Sequence, residues 1–223
     1  DGDADTILAG AGNDTVVAGN GNDLVDLGAG DDSMGGWSEN DSGNDTISGG
    51  LGNDSINAGS GNDSVLGGDG NDMVYGSSGD DTLIGDAGAD RLFGGVGNDI
   101  SYGGAGNDTL QVVDSDQGET LFGGADTDHV QFSSYSSTSG VNVTFTGAGA
   151  GTFAYASTPG AGSFAEIETF GLTEYNDTFN ATASTSAVTI GAGGGNDVIR
   201  GGSAADSLSG DADADTIYGG VGD

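Results

Sequence analysis

A nine-residue repeat is the feature that most constrains the fold of this 223-residue chain. Residues 49–75, "GGLGNDSINAGSGNDSVLGGDGNDMVY", contain the repeat three times, with Asp in its sixth place. An apolar residue, such as Ile56 or Val65, follows each Asp by two positions. Repeats of fixed period indicate a solenoid, in which stacked neighbours bury one continuous narrow core.

Each repeat is interpreted as a six-residue glycine-rich turn followed by a three-residue strand. The middle side chain of that strand points inward, because neighbouring strand residues alternate between faces. Two repeats then form one coil of 18 residues, and successive coils stack as parallel strands about 4.8 Å apart. The sequence therefore predicts an all-β protein, a parallel β-roll or β-helix solenoid.

The recurrent Asp marks the register of the repeats along the chain. Four extra residues near 37–44 separate Asp32 from Asp45, the stretch 112–120 is irregular, and Glu119 stands where an Asp is expected. The in-register aspartates are Asp5, Asp14, Asp23, Asp32, Asp45, Asp54, Asp63, Asp72, Asp81, Asp90, Asp99, Asp108, Asp128, Asp197, Asp206 and Asp215.

Three segments follow from this register: a repeat region at 1–131, a segment at 132–190 without clear repeats, and a second repeat region at 191–223. The middle segment is richer in Ser, Thr, Ala and aromatic residues, and "VNVTFT" (141–146) alternates as a strand does. We expect it to form wider β-coils or a small β insert that continues the stack. A separate small β-domain is the alternative.

The stacked aspartates require a positive partner, because two carboxylates roughly 5 Å apart repel by about 1 to 3 kcal/mol. Glycine-rich turns can direct backbone carbonyl oxygens toward one centre, and Ca²⁺ takes an all-oxygen ligand set. The absence of Cys and the single His exclude a conventional zinc or copper site. Calcium is the predicted cofactor, and we expect the repeats to be largely disordered in a chelator and to fold when it binds.

The charge balance excludes several classes of partner. The formal net charge is −34, from 36 acidic residues against two Arg and no Lys. Binding to nucleic acid or anionic lipid rewards Lys and Arg, so neither is expected. No run approaches the roughly 18 apolar residues of a membrane span, so membrane insertion is not expected either. Both termini interrupt the repeat, and we interpret the sequence as a piece of a larger protein.

The repeats "GGLGNDSIN", "GGDGNDMVY" and "GGAGNDTLQ" resemble the G-G-x-G-x-D-x-U-x nonapeptide of the RTX (repeats-in-toxin) family. The resemblance implies a parallel β-roll in which Ca²⁺ lies between same-side turns. Its ligands would be the aspartates above, paired 18 residues apart, and glycine-segment carbonyls, with about ten ions in all. The implied glycines are Gly49, Gly50, Gly52, Gly67, Gly68, Gly70, Gly94, Gly95, Gly97, Gly103, Gly104 and Gly106.

Some positions depart from the family pattern. The insertion "WSEN" (37–40) leaves the pairing across it open, and Glu119 and Asp177 are uncertain ligands. In "GDADADTIY" (210–218), Asp211 and Asp213 replace two glycines. We expect that turn to be strained or reshaped.

The resemblance also implies an extracellular or cell-surface location, reached by type I secretion from a Gram-negative bacterium. The predicted function is a calcium-binding structural and folding module, with a surface-layer or adhesin role as its specific version. The alternative is the C-terminal accessory and secretion module of an exported protease, lipase, epimerase or cytolysin whose catalytic part lies elsewhere.

No catalytic motif occurs in the sequence, so the chain is not expected to be an enzyme. His129, the single histidine, precedes Val130 in a strand-like place and is interpreted as a strand residue. Apolar residues at the last repeat position form two predicted outward stripes: Leu66, Tyr75, Ile84, Phe93 and Tyr102. They are either ordinary strand residues or a face for self-association or for a cell-surface polysaccharide or protein.

Overall fold

The computed structural model describes residues 2–35, 42–113, 118–133, 139–156 and 161–222. These residues form 23 β-strands and no helix, so the predicted all-β class is confirmed. Within the same ranges there is consequently no helix with the length and apolarity needed to cross a lipid bilayer. The "WSEN" insertion and residues 114–117 of the irregular stretch lie outside the described residues.

The strands follow one another at short intervals along the chain. They are β1 (Thr6–Ala11), β2 (Thr15–Val16), β3 (Leu24–Ala29), β4 (Ser33–Met34), β5 (Thr46–Leu51), β6 (Ser55–Ser60), β7 (Ser64–Asp69), β8 (Met73–Ser78), β9 (Thr82–Ala87), β10 (Arg91–Val96), β11 (Ile100–Ala105), β12 (Thr109–Val113), β13 (Thr120–Ala125), β14 (His129–Ser133), β15 (Val141–Gly147), β16 (Ala150–Tyr155), β17 (Gly162–Ala165), β18 (Thr169–Gly171), β19 (Thr178–Asn180), β20 (Thr189–Gly191), β21 (Val198–Arg200), β22 (Ser207–Ser209) and β23 (Thr216–Tyr218).

Successive repeats alternate between two sheets. Thirteen strands form the larger sheet, in the order β1-β3-β5-β7-β9-β11-β13-β17-β16-β15-β19-β21-β23. Ten strands form the smaller sheet, in the order β2-β4-β6-β8-β10-β12-β14-β18-β20-β22. Within the repeats all pairings are parallel: Val65 lies opposite Leu83 in the larger sheet, and Val74 opposite Leu92 in the smaller. Two repeats therefore make one coil, and the predicted parallel β-roll is confirmed.

Most repeat strands are longer than the predicted three residues. β5, for example, has six residues, and its pairing with β7 includes Gly50 opposite Gly68 and Leu51 opposite Asp69. Pairing extends into the turn because Gly50 and Gly68 adopt φ of 108° and 114°, which favours glycine. A Cβ on Gly50 would also collide with the carbonyl group of Gly28 in the preceding coil. The glycines thus set both the bend and the close approach of the coils.

The interior of the repeat region is narrow and aliphatic. The residue two places after each Asp points into it, and Ile47, Ile56, Val65, Val74 and Leu83 are each at most 2% exposed. These side chains belong to one apolar cluster that runs from Val16 to Leu92. A second inward position follows two residues later, at the first residue of the next turn, where Leu27 and Ala58 are buried in the same cluster.

The segment 132–190 is built into the same two sheets. In the larger sheet, β15, β16 and β17 form an antiparallel meander, with Val143 opposite Phe153 and Thr152 opposite Ser163. The meander joins its neighbours by parallel pairing, β17 to β13 and β15 to β19. In the smaller sheet, β14, β18 and β20 continue in parallel. The two sheets thus run through the segment without a break.

Aromatic side chains fill the interior of this segment. Phe145 packs edge-on against Phe164, Phe170 and Phe179, with ring centroids 5.0 to 5.5 Å apart. The hydroxyl group of buried Tyr155 donates hydrogen bonds to two backbone carbonyl oxygens at 3.0 Å. Such a core needs a wider coil than the nine-residue repeat provides.

Candidate metal centre

The repeat aspartates lie at the end of each turn, immediately before a strand, and stack in two columns, one along each sheet. The backbone N–H of Asp45 donates to Oδ1 of Asp63 at 2.8 Å, and that of Asp63 donates to Oδ1 of Asp81 at 2.8 Å. The same contact joins Asp54 to Asp72 in the other column. The columns follow from the parallel register, because residues 18 apart are neighbours across it.

The columns continue across the insertion, where the sequence left the pairing open. The backbone N–H of Asp23 donates to Oδ1 of Asp45 at 2.8 Å, and that of Asp32 donates to Oδ1 of Asp54 at 2.8 Å. Both pairs are 22 residues apart instead of 18. The columns of carboxylates therefore stay in line on the two sides of the four extra residues.

The second oxygen of these carboxylates has no protein partner. Oδ2 is buried and accepts no hydrogen bond in twelve of the described aspartates: Asp14, Asp23, Asp32, Asp45, Asp54, Asp72, Asp81, Asp90, Asp99, Asp108, Asp128 and Asp197. A buried carboxylate oxygen without a partner is costly unless a cation lies beside it.

A glycine at the first position of the turn packs close to such an Oδ2 at Asp54, Asp72, Asp81, Asp90, Asp99, Asp108 and Asp128. A Cβ placed on Gly67 would lie 2.5 Å from Oδ2 of Asp72 and 2.9 Å from the carbonyl oxygen of Gly85 in the next coil. A Cβ on Gly49 would meet Oδ2 of Asp54 at 2.6 Å and the carbonyl oxygen of Gly67. These distances are too short for another atom, so the glycine lets a carboxylate oxygen and a carbonyl oxygen of neighbouring coils lie close together, and both are oxygen types that Ca²⁺ binds.

The other glycine positions shape the turn. The second and fourth glycines adopt positive φ, for example 104° at Gly95, 115° at Gly104, 140° at Gly70 and 130° at Gly106. A Cβ at any of the predicted positions Gly50, Gly52, Gly68, Gly70, Gly95, Gly97, Gly104 and Gly106 would press on the backbone of the preceding coil. These residues permit close stacking, and the first-position carbonyl oxygens face the carboxylates.

The electrostatics of the columns favour a bound cation. Burial raises the pKa of Asp81 and of Asp90 to about 7, and the charge of aspartates above and below adds to the rise. Burial likewise raises the pKa of Asp72 to about 6. The backbone N–H on Oδ1 opposes each shift without cancelling it. Because calcium needs the ionised carboxylate, its binding and protonation compete.

The comparison with known families agrees with this geometry. The family model of the RTX calcium-binding nonapeptide repeat matches the chain in four copies, at residues 1–34, 39–74, 75–110 and 191–223, which is more than half of the chain. The chain belongs to the RTX family. No curated protein matches it. RTX repeats bind calcium, so the chain carries a structural calcium-binding module, as the sequence predicted.

The described turns offer two kinds of oxygen, carboxylate and backbone carbonyl. Across the described ranges, no three His, Cys, Asp or Glu side chains converge to form a ready-made metal site. The remaining oxygens of each calcium position would therefore come from the backbone of the turns. The residues present fit calcium, which when bound neutralises the stacked carboxylates and links neighbouring coils.

Not every predicted ligand has a free oxygen. Asp206 accepts the backbone N–H of Val188 at 3.0 Å on Oδ1 and that of Gly202 at 2.7 Å on Oδ2. Asp5 and Asp215, in the first and last coils, are only partly buried. Oδ1 of Asp215 accepts the backbone N–H of Asp197 at 3.0 Å, so it still belongs to a column.

The two uncertain ligands also have protein partners. Both carboxylate oxygens of Asp177 accept hydrogen bonds, from the backbone N–H of Val141 at 2.6 Å and from the backbone and hydroxyl groups of Thr173 at 2.8 Å. Oε1 of Glu119 accepts the backbone N–H of Asp99 at 3.3 Å. Hydrogen-bond donors of the protein thus contact both oxygens of Asp177, whereas the unpartnered oxygens of the repeat aspartates are left for a cation.

Glu168 was missed by the sequence analysis. Its Oε2 accepts the backbone N–H of Asp128 at 3.0 Å, which places it next in the column after Asp128. The signal was present, since Glu168 precedes the buried Phe170 by two positions, as each repeat Asp precedes its apolar residue.

The Asn of each "GND" forms a second ladder that was also missed. Oδ1 of Asn44 accepts the backbone N–H of Asn62 at 2.9 Å, and Oδ1 of Asn53 accepts that of Asn71 at 2.9 Å. These bonds point from one coil to the next, opposite in direction to those of the aspartates. Asn and Asp together therefore fasten each turn to both neighbours.

Proposed function

We propose that this chain is a folding and structural module of a secreted bacterial RTX protein, ordered by calcium outside the cell. The column of buried Asp Oδ2 atoms without partners carries the proposal. A metal-free roll would hold these carboxylates against one another, and the −34 charge would hold the chain open. Calcium both neutralises the columns and links the coils, so folding is coupled to binding.

The family and this coupling support an extracellular location. RTX proteins are typically secreted by Gram-negative bacteria, and a chain that stays open at low cytosolic calcium can be exported before it folds. We therefore place the working form outside the cell or at its surface. No catalytic function is assigned: His129 contacts Thr169 Oγ1 at 2.9 Å and Gln131 at 3.3 Å on the outer sheet face.

A surface-layer or adhesive role is favoured by the outward stripes. Tyr75 stacks on Phe93 with ring centroids 4.5 Å apart, and Tyr102 stacks on Phe122 at 4.8 Å. Tyr102 remains 39% exposed. Replacing Tyr75 and Phe93 by Ser should weaken self-association while calcium binding is retained, and sedimentation velocity in calcium tests this. An unchanged sedimentation coefficient would favour the accessory module of an exported enzyme.

The central test compares Gly67→Ala with Gly147→Ala. Neither glycine has positive φ, but a Cβ on Gly67 would collide with Oδ2 of Asp72 and with the carbonyl oxygen of Gly85, whereas a Cβ on Gly147 meets nothing within 4 Å. Calorimetric calcium titration should show fewer bound ions or a higher calcium midpoint for Gly67→Ala only. Magnesium serves as the control cation.

Circular dichroism completes the test on the unaltered chain. Millimolar calcium added to the chelated protein should increase the β-sheet signal several-fold, and EDTA should reverse the increase. A spectrum that is the same in EDTA and in calcium would refute the proposed coupling.

A further inference from the structure

Six non-glycine residues among the described ranges adopt positive φ, and five of them are acidic. They are Ser77 (80°), Asp86 (79°), Asp126 (82°), Glu166 (59°), Asp211 (60°) and Asp213 (77°). This conformation is strained for residues with a Cβ, and glycine adopts it freely. Asp and Asn both tolerate it better than other residues with a Cβ, and an Asp in such a turn also brings a negative charge.

Asp86 and Asp126 each lie in a turn that contains an Oδ2 without a partner. Asp86 is the second residue of the turn 85–90, which ends at Asp90, and Asp126 is the fourth residue of the turn 123–128, which ends at Asp128. Asp90 and Asp128 are 1% and 0% exposed, and Oδ2 of each accepts no hydrogen bond. Both turns therefore hold a buried acceptor that fits a cation.

The first glycine of each turn lies close to the carboxylate that would bind calcium. A Cβ on Gly85, the neighbour of Asp86, would meet Oδ2 of Asp90 and, at 2.5 Å, the carbonyl oxygen of Gly103. A Cβ on Gly123 would lie 2.5 Å from Oδ2 of Asp128. Asp86 directly follows Gly85 and Asp126 precedes Asp128 by two residues, so each extra carboxylate belongs to the same six-residue turn as the buried acceptor.

Asp211 and Asp213 differ from this pair because their carboxylates have protein donors. The backbone N–H groups of Gly193 and Gly195 donate to them at 3.3 Å, and Ser209 Oγ donates to Asp211 at 2.6 Å. Their carboxylates therefore hold the last turn against the preceding coil. Asp86 and Asp126 are exposed residues on the turn surface.

We propose that Asp86 and Asp126 are charge-supplement residues, which add a negative charge to the calcium position of their own turns. The inference rests on the proposed calcium-coupled folding. The added charge acts across the turn and not as a third converging ligand, since no such group of three is formed in the described part of the chain. Because ligand charge tunes calcium affinity, we expect these turns to bind calcium about 3- to 10-fold more tightly than they would with a neutral residue.

The test follows local folding in the full chain as a function of calcium. Hydrogen exchange of peptides covering residues 82–105 gives a calcium midpoint for the turn of Asp86, and peptides covering 120–133 give one for the turn of Asp126. Asp86→Asn and Asp126→Asn keep a side chain that tolerates positive φ and remove the charge. Each should raise the midpoint of its own peptides by about 3- to 10-fold and leave the other midpoint nearly unchanged.

Two controls separate charge from strain and from net charge. Ser77→Gly relieves positive φ at the same turn position as Asp86 without changing charge, and its calcium midpoint should stay constant. Asp26→Asn removes an equal charge from the exposed outer face of β3, three strands away from β9 in the larger sheet, and should shift neither midpoint. Asp86→Gly should raise the midpoint as Asp86→Asn does, although it relieves the strained φ.

The outcomes are distinguishable. If protection depends on calcium but Asp86→Asn and Asp126→Asn keep the original midpoints, the charge-supplement role is overturned and the calcium-coupled fold stands. An equal shift from Asp26→Asn would also overturn it, since net charge alone would then explain the effect. If protection is independent of calcium, the proposed function itself fails.

Discussion

Two regions of this molecule both bury carboxylate groups, but they have different apolar interiors. The narrow roll, residues 6–105, encloses aliphatic residues such as Leu83, and its turns hold carboxylate oxygens without partners. The aromatic block, residues 109–190, encloses a cluster of Phe rings, and Asp177 within it has both oxygens satisfied by Val141 and Thr173. Asp128, in the same block, keeps a buried Oδ2 without a hydrogen bond, so the comparison teaches that nearby protein donors, and not the size of the apolar interior, decide which carboxylates are left for a cation.

The largest expected effect is a regional response to chelation. In EDTA, amides of the narrow roll should exchange rapidly, because the stacked carboxylates repel and little apolar surface opposes them. Amides of β15, β16 and β17 should stay protected. Hydrogen exchange with mass spectrometry in calcium and in EDTA measures this, and loss of protection to the same extent in both regions would remove the distinction.

Truncating one buried side chain in each region should show whether that region is folded without calcium. Phe170→Ala is expected to lower the free energy of unfolding of the aromatic block by about 3 to 5 kcal/mol in calcium and in EDTA alike. Leu83→Ala, the matched truncation in the narrow roll, should cost about 2 to 5 kcal/mol in calcium and nothing in EDTA, where the roll is already open. Urea denaturation under both conditions tests this. A large effect of Leu83→Ala in EDTA would mean that the roll folds without metal.

The smallest expected effect is a pH response of the metal-free roll. Burial raises the pKa of Asp81 and of Asp90 to about 7 in the folded roll, above the roughly 3.9 of an unfolded Asp. Their contribution to stability is therefore fully present below about pH 4 and is lost as the pH rises through about 7. Acidifying the chelated protein from pH 8 to 5 should restore part of its β-sheet circular dichroism.

Matched variants check the source of this pH response. Asp81→Asn and Asp90→Asn are neutral at every pH, so together they should reduce it. In calcium the trend reverses, because protons compete with the metal and more calcium is needed at pH 5 than at pH 8. A metal-free spectrum that is constant from pH 8 to 5 would contradict the prediction.

Much of the narrow roll could be read from the repeat. The Asp at every ninth position and the apolar residue two places later determine the parallel register, since both columns align when residues 18 apart are paired. The sequence could not show that Oδ1 accepts a hydrogen bond from a backbone N–H while Oδ2 accepts none. That division depends on the distance between coils, which the glycine contacts set.

The aromatic block was less predictable for a physical reason. Alternation in "VNVTFT" indicated a strand but not its direction, and the antiparallel pairing of β15 with β16 depends on the tight turn at Gly147 to Ala150. Asp177 resembled a repeat Asp in sequence, but its neighbours Thr173 and Val141 supply donors. Partners 36 residues apart, such as Val141 and Asp177, are invisible to a nine-residue pattern.

The sequence by itself determined the class of fold, the two aspartate columns and the family, because a fixed period transmits one local geometry to every coil. Tertiary structure alone decided which carboxylates keep a free oxygen, how the columns cross the insertion between Asp32 and Asp54, and where protein donors replace a cation. These features depend on contacts between coils whose spacing departs from the period, and a repeat pattern carries no information about its own exceptions.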